Sequence, residues 1–425
     1  MLSRIPHGVR WMLASYLFGA VFQGAYFLLL ARYLGPSQYG IFAGSLALVT
    51  IFTSFAGIGS AYVMVMNTAR EPSTYTGHLG TALLYTIISA LPLGIVAAAI
   101  GFNSGRQLGY VVAILAASEL VFNSIIELGY QSFQAHDRLK GTATYSIAAG
   151  VIRLAALVIA HTIVIHDLTA IKWACTYALV NVVISVTILI VCMRNFGFPR
   201  ISTESIRSAW RVGMYFALGT ASRNVYADSD KFFLARYEVG GSSTGTYAAG
   251  SKIASFACLP IQAIAYANST RFFRVGARGY RALWTEMRLL SIVVASYACV
   301  ATVAIVYLSG YVVILLGPEY EDTVKVLRYL CVLPLFQGVN YLFGDALMGV
   351  GNQAARSIAQ ALIAGLAVGA NMILIPRLGW PGAAIATVGC SALLSVLLTS
   401  IFFAGVLRES RRDGNNRGYV GGEKP

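Results

Sequence analysis

The sequence predicts an all-α integral membrane protein. About twelve transmembrane helices are expected, in two six-helix bundles related by a pseudo-two-fold axis along the membrane normal, with a central cleft. Three observations predict this. The 425-residue chain is 57% hydrophobic and only 11% charged, with a mean hydropathy of +0.69. A soluble domain carries about 25% charged residues, so a soluble chain this apolar could not cover its surface. Apolar runs long enough to cross the bilayer recur along the whole chain; a spanning helix needs about 20 mostly apolar residues. Finally, the chain repeats itself at a spacing of half its length, which is the mark of a duplicated bundle rather than of a solenoid.

The spans are expected in order at residues 11–31, 39–66, 79–102, 108–133, 142–165 and 173–193, then at 212–235, 245–270, 289–316, 324–350, 357–375 and 381–407. Arg4 and Arg10 precede the first run and no small-residue cleavage site follows it, so it reads as an uncleaved span rather than a signal peptide. The fourth, fifth and seventh runs contain charges. Basic connectors at 194–211 and 271–288 separate the sixth span from the seventh and the eighth from the ninth. The domains are therefore expected at 1–200 for spans one to six and 201–407 for spans seven to twelve. A polar, Gly-rich cytoplasmic tail follows at 408–425 and is expected to be disordered.

The charge distribution orients the chain. Twelve spans place both termini on one side. That side carries Arg4, Arg10, Arg70, Arg138, Lys140, the Arg residues of both connectors, Arg356 and the basic tail residues, 20 in all. The other side carries seven: Arg32, Arg106, Lys172, Arg236, Lys325, Arg328 and Arg377. Positive charge favours the cytoplasm, so both termini are expected inside. Trp11, Trp173, Trp210, Trp284 and Trp380 all fall at or beside a span end, the headgroup level that tryptophan prefers. Most of the net charge of +14 is thus topological and does not call for nucleic acid.

Several function classes are unsupported. The six cysteines stand singly in apolar runs without metal-ligand spacing, and no nucleotide-binding loop is present. His161, His166 and Asp167 are the only notable cluster in the short outer loops, which leaves no evident catalytic residue for a membrane-embedded glycan polymerase or ligase. No cofactor and no metal site is expected.

The repeat separates architecture from function. Leu30-Ala31-Arg32-Tyr33 matches Leu234-Ala235-Arg236-Tyr237, and Gly40-Ile41-Phe42-Ala43 matches Gly245-Thr246-Tyr247-Ala248. The offset is six helices, so both halves keep the same orientation, as in parallel-repeat transporters. Only the second copy carries Arg223, Asp228, Asp230, Lys231 and Lys252. Gly19, Phe27 and Ala47 stand opposite Arg223, Lys231 and Lys252. Insertion and packing therefore did not demand these charges. Asp228 and Lys231, three apart, are placed to pair; Arg223 and Lys231, eight apart, share a face.

An ionisable residue in a span costs at least about 2.5–3.5 kcal/mol, so it turns to the protein interior or a wet cavity. Glu119, Asn123, Glu127, Gln131 and Gln134 follow at helical spacing in the fourth span. They read either as a cation, proton or hydroxyl-binding stripe, or as structural partners of Arg153 in the fifth. Arg153 in turn reads as an anion site, through its fork of donors, or as a partner of Glu119 or Glu127. Asp345 reads either as part of a cleft cluster with Gln337 and Tyr341 or as a residue near the inner surface.

At the hairpins a family resemblance emerges. Arg32-Tyr-Leu-Gly-Pro-Ser-Gln-Tyr-Gly40, Asp230-Lys-Phe-Phe-Leu234 with Gly245-Thr-Tyr-Ala-Ala249, Leu316-Gly-Pro-Glu-Tyr320, and Ile375-Pro-Arg-Leu-Gly-Trp-Pro-Gly-Ala-Ala-Ile-Ala-Thr387 fall in chain order. Together they resemble the motifs of polysaccharide transport proteins, the lipid-linked oligosaccharide flippases of the multidrug/oligosaccharidyl-lipid/polysaccharide (MOP) exporter superfamily. The resemblance implies a non-enzymatic transporter in the bacterial inner membrane. It implies translocation of an undecaprenyl-diphosphate-linked sugar repeat unit to the outer leaflet, by alternating access through a cationic cavity. The glycan, the bilayer and a polysaccharide polymerase with its export machinery would be the partners. Arg153, Arg223, Lys231 and Lys252 would serve the diphosphate and sugar. Glu119, Glu127, Asp228, Asp230 and Asp345 are candidates for coupling to Na+ or H+. The alternative within the superfamily, a cation-coupled multidrug exporter, would favour acidic cavity residues, and the four intramembrane cations argue against it.

Overall fold

The computed structural model describes residues 7–164, 167–201, 203–238 and 241–420. Arg4, His166 and Lys424, used in the charge and cluster arguments, lie outside the described residues, as do the side chains of Arg10, Trp11, Arg207 and Arg211. The described chain is helical throughout. Its helices are α1 (His7–Thr53), α2 (Ser60–Arg70), α3 (Tyr75–Ser104), α4 (Arg106–Ala117), α5 (Ser124–Ala135), α6 (Leu139–Ile159), α7 (Ala170–Phe196) and α8 (Thr203–Tyr237). They continue as α9 (Ser242–Ala257), α10 (Leu259–Gly276), α11 (Tyr280–Leu308), α12 (Tyr311–Leu316), α13 (Glu321–Leu330), α14 (Leu333–Gly349), α15 (Gln353–Leu378) and α16 (Trp380–Val420).

Among the described residues, seven unbroken helical stretches are long and apolar enough to cross a membrane. Three further stretches are bent pairs: α1 with α2, α9 with α10, and α13 with α14, bent by 45°, 42° and 49°. Two features bring the spans to twelve. The long α1 contains a hairpin corner at Gly35, where φ is +66° and ψ 168°, so it holds the first span and most of the second. Proline at 36 lacks a backbone donor and starts the next helix well, while Gly35 adopts a left-handed φ that a side chain resists. The α8 helix is long enough to span, but its charges keep it from meeting an apolarity criterion.

The observed breaks refine the expected spans. The second span unwinds between Thr53 and Ser60, where Gly57, Ile58 and Gly59 all take positive φ. The fourth span passes through a π-helical turn, Ser118–Asn123, between α4 and α5. The expected ninth span overran: α11 ends at Leu308 and 311–316 form the separate short α12. The second basic connector is mostly helix, since α10 reaches Gly276 and α11 starts at Tyr280. Polar residues 408–420, expected as a disordered tail, continue α16 as helix.

The chain divides into two compact units: residues 1–248 with 314–320, and residues 249–313 with 321–425. In the first unit, Ile126, Phe133, Ala149, Ile184, Ile188 and Cys192 join α5, α6 and α7 in one buried cluster. Met64, Tyr75, Leu79, Ala82 and Leu128 join α2, α3 and α5 in another. Trp173 is fully buried against Tyr26 and Tyr177, so it is a core residue rather than a headgroup anchor, although it opens its helix. Trp210, by contrast, is 53% exposed.

The α8 helix belongs to this first unit, and there the two repeat copies meet. Gly40 and Gly245, equivalent positions in the copies, face each other. A Cβ on Gly40 would come within 2.7 Å of the Gly245 nitrogen, and one on Gly245 would strike the Pro36 carbonyl oxygen. Gly44 packs on Ala235 in the same seam, and Gly59 and Gly213 form a second reciprocal contact. Such close backbone approach is how helices associate where lipid removes the hydrophobic drive between them. The second copy also turns on a left-handed glycine, Gly241 at φ +71°. The Leu-Gly-Pro-Glu-Tyr segment joins this unit as well: the Tyr320 hydroxyl donates to the Ala31 carbonyl at 2.7 Å, just before the first hairpin corner.

In the second unit Asn340 holds α14 to α16, donating to the Ser391 carbonyl and accepting from Ser395. Near the C-terminal end of α16, Glu409 accepts from the first-turn backbone N–H of Arg281 on α11.

Candidate functional site

Two polar centres form inside the spans of the first unit. The first grows from α6, α7 and the π turn between α4 and α5. Arg153, on α6, donates from Nε to Asn181 Oδ1 and from Nη2 to Asn123 Oδ1, both at 3.0 Å. Asn181 is fully buried and donates its amide to Ser118 Oγ at 3.0 Å. The Tyr177 ring lies 5.6 Å from the guanidinium, and its hydroxyl donates to Glu119 Oε1 at 2.8 Å. A guanidinium has donors only, so both asparagines must turn their carbonyl oxygens toward it.

This geometry answers the sequence alternatives. Among the described residues Arg153 has no carboxylate within ion-pair distance; its partners are neutral asparagines. The stripe of acids and amides also divides. Glu119 is buried against Tyr177, whereas Glu127 is exposed. The reason is the π turn, whose wider hydrogen-bond ring inserts an extra residue and rotates everything after it relative to an unbroken helix.

The second centre lies on α8. Lys231 Nζ sits 2.6 Å from Asp228 Oδ1 and 3.9 Å from Asp230 Oδ1, and donates to the Ala227 carbonyl at 3.0 Å. Asp230 is buried, accepts the Tyr247 hydroxyl at 2.5 Å, and accepts the Lys231 backbone N–H at 2.8 Å. Asn224, one turn before Asp228, donates to the Thr50 carbonyl and to Ser54, which holds α8 to α1. The structure thus brings Asp228, Asp230 and Lys231 together as the three-residue spacing required. It does not join Arg223 to them: Arg223 is exposed and forms no ion pair among the described residues.

The remaining candidates lie in the second unit. Lys252 places its ammonium 5.7 Å from the Phe256 ring, one turn along α9. Asp345 pairs with Arg356 at 3.4 Å, and Tyr341 instead accepts from Gln262.

Lys231 offers a direct test of how the second centre is held. The Lys231–Asp228 pair is partly buried, so removing one partner is expected to cost less than the roughly 3–5 kcal/mol of a fully buried pair, in which the other charge stays uncompensated. Lys231→Met is therefore expected to lower the melting temperature of the purified protein, and Asp228→Asn in the same chain to restore part of it. Equal melting temperatures for Lys231→Met and the unaltered protein would show the cluster to be energetically idle.

Sequence inspection missed Tyr177, Asn181 and Ser118. The signal was there: Tyr177 and Asn181 are four apart in an otherwise apolar run and so share one helix face.

Comparison with known proteins places this arrangement. Solved structures of similar fold include an inward-facing multidrug resistance MATE family transporter of the MOP superfamily, 18% identical, with a TM-score of 0.72 over 92% of this chain and 95% of that one. A MOP superfamily transporter from Pyrococcus furiosus, described as having a binding pocket of reverse polarity, is 15% identical with a TM-score of 0.65, over 95% of both chains. The lipid II flippase MurJ in an inward closed conformation is 14% identical with a TM-score of 0.69, over 92% of this chain and 86% of that one. The fold is therefore that of MOP superfamily transporters. Residues 6–270 match the polysaccharide biosynthesis protein family, and the chain belongs to that family. No curated protein matches the sequence.

Proposed function

We propose that this protein carries an undecaprenyl-diphosphate-linked oligosaccharide repeat unit from the cytoplasmic to the outer leaflet for polysaccharide assembly. The observation that carries the reading is Arg153: a guanidinium within the spans, hydrogen-bonded by neutral side chains and in no ion pair among the described residues. A diphosphate leaving water needs such donors, and Arg presents them in a planar fork. The polyprenyl chain has no comparable need and stays in lipid throughout. Family membership supports a glycan substrate. Arg223, Lys231 and Lys252 would add positive potential, tempered at Lys231 by its aspartates. No bond is made or broken, so the work is transport by alternating access. Glu119, Glu127, Asp228, Asp230 and Asp345 remain the candidates for coupling to Na+ or H+. The setting is the bacterial inner membrane with both termini in the cytoplasm, beside a polymerase and export machinery.

The test is reconstitution. Protein in liposomes carrying a fluorescent undecaprenyl-diphosphate oligosaccharide is expected to expose the label to a membrane-impermeant quencher faster than empty liposomes do. Unchanged exposure of the label, together with active movement of a cationic drug, would replace this reading with the multidrug alternative.

A further inference from the structure

We propose that Asn123 and Asn181 are positioning residues that hold the Arg153 guanidinium oriented and still fully charged, so that its free donors take up one phosphate of the lipid-linked diphosphate. The inference rests on the flippase reading and goes further, because it assigns residues that touch the arginine rather than the substrate.

A buried or half-buried guanidinium is usually partnered by a carboxylate, which orients it and cancels its charge together. Here the two tasks are separated. Nε and one Nη2 proton are committed to amide oxygens, each at 3.0 Å. Two of the five N–H donors are used, which leaves three for other partners. The net charge stays at +1, because an amide oxygen carries none. Glu119, in the same π turn, attracts Arg153 at longer range, but its Oε1 accepts the Tyr177 hydroxyl at 2.8 Å, and among the described residues no ion pair joins it to Arg153. Tyr177 touches both groups: its ring faces the guanidinium at 5.6 Å, and its hydroxyl holds Glu119 at 2.8 Å.

The clamp is itself fixed. Asn181 is fully exposure-free, and its amide nitrogen is tied to Ser118 Oγ on the π turn. Asn123 is the last residue of the same turn. The π turn thus supplies Ser118 and Asn123 on two sides of the arginine, five residues apart, a spacing that its own i→i+5 ring brings onto one face. An unbroken α-helix would rotate one of them away.

The experiment uses the full chain in nanodiscs with a short-chain polyprenyl diphosphate as the binding probe and polyprenyl alcohol as the uncharged control. Asn123→Asp and Asn181→Asp keep shape but place a carboxylate on the guanidinium. Both are expected to weaken diphosphate binding about tenfold or more while leaving alcohol binding and melting temperature nearly unchanged; a tenfold change corresponds to about 1.4 kcal/mol. Arg153→Gln is expected to abolish the difference, so that Asn123→Asp adds nothing in that background. Asn123→Gln keeps a neutral acceptor and is expected to retain more binding than Asn123→Asp. If Arg153→Gln weakens the diphosphate and the aspartate variants do not, the positioning role is wrong and the flippase reading stands. If folded Arg153→Gln protein binds the diphosphate normally, the role of Arg153 fails, and this inference with it. Should the aspartate variants weaken alcohol binding equally, the asparagines are structural and the inference is also overturned.

Discussion

Gly245→Ala is expected to lower the melting temperature of the protein markedly, although it adds a single methyl group. Gly245 lies where the second repeat copy crosses the first, and a Cβ there meets the Pro36 backbone carbonyl rather than a side chain that could swing away. The helices must separate to admit it, and the opposite glycine, Gly40, loses its fit at the same time. Overpacking of this kind costs typically about 1–3 kcal/mol, a large share of the total of about 5–15 kcal/mol that holds a native protein together. Gly219→Ala is the matched control. It lies on α8 with nothing within 4 Å of its Cβ direction, and alanine there is expected to be harmless. Size-exclusion profiles and melting curves of the two variants in detergent make the comparison. Equal stability would mean that the seam opens without cost and that the repeat copies are not locked together.

Arg153→Gln is expected to slow flipping of the lipid-linked oligosaccharide by about ten- to a hundredfold. Loss of hydrogen bonds to a charged partner is worth about 1.5–3 kcal/mol, and each 1.4 kcal/mol is a factor of ten. Glutamine keeps some polarity and much of the length, so the fold should survive. Arg153→Lys is expected to fall in between, since an ammonium keeps the charge but cannot bridge both asparagines in one plane. The exposed Arg223, changed to glutamine, should have a smaller effect. The readout is the rate at which labelled substrate becomes accessible in reconstituted liposomes. A normal rate for Arg153→Gln with normal protein content would remove the central support for the proposed diphosphate site.

The two centres differ in how far residue patterns reveal them. The pairing of Asp228 with Lys231 follows from three-residue spacing on one helix, a local relation that a linear pattern carries in full. The surroundings of Arg153 are not local. Its partners come from positions 123 and 181, about thirty residues away on either side, and linear spacing is silent about such contacts. The acidic stripe is bent for a related reason. Even spacing assumes an unbroken helix, and the π turn at Ser118–Asn123 leaves no clear mark in residue type. Asp345 shows the same limit: its nearest charge, Arg356, stands beyond the end of its own helix and meets it only through the fold.

What the chain alone established was coarse and robust: an all-helical membrane protein, twelve spans and a duplicated hairpin. These depend on hydropathy, charge placement and self-similarity, properties that add along the sequence and survive small errors of boundary. The packing of helices settled the rest. It showed that Gly40 and Gly245 meet, that Trp173 is core, that Lys231 is answered by two aspartates, and that Arg153 is hydrogen-bonded by two asparagines. Each of these depends on which face of a helix meets which neighbour, and a single extra residue in one turn is enough to change that.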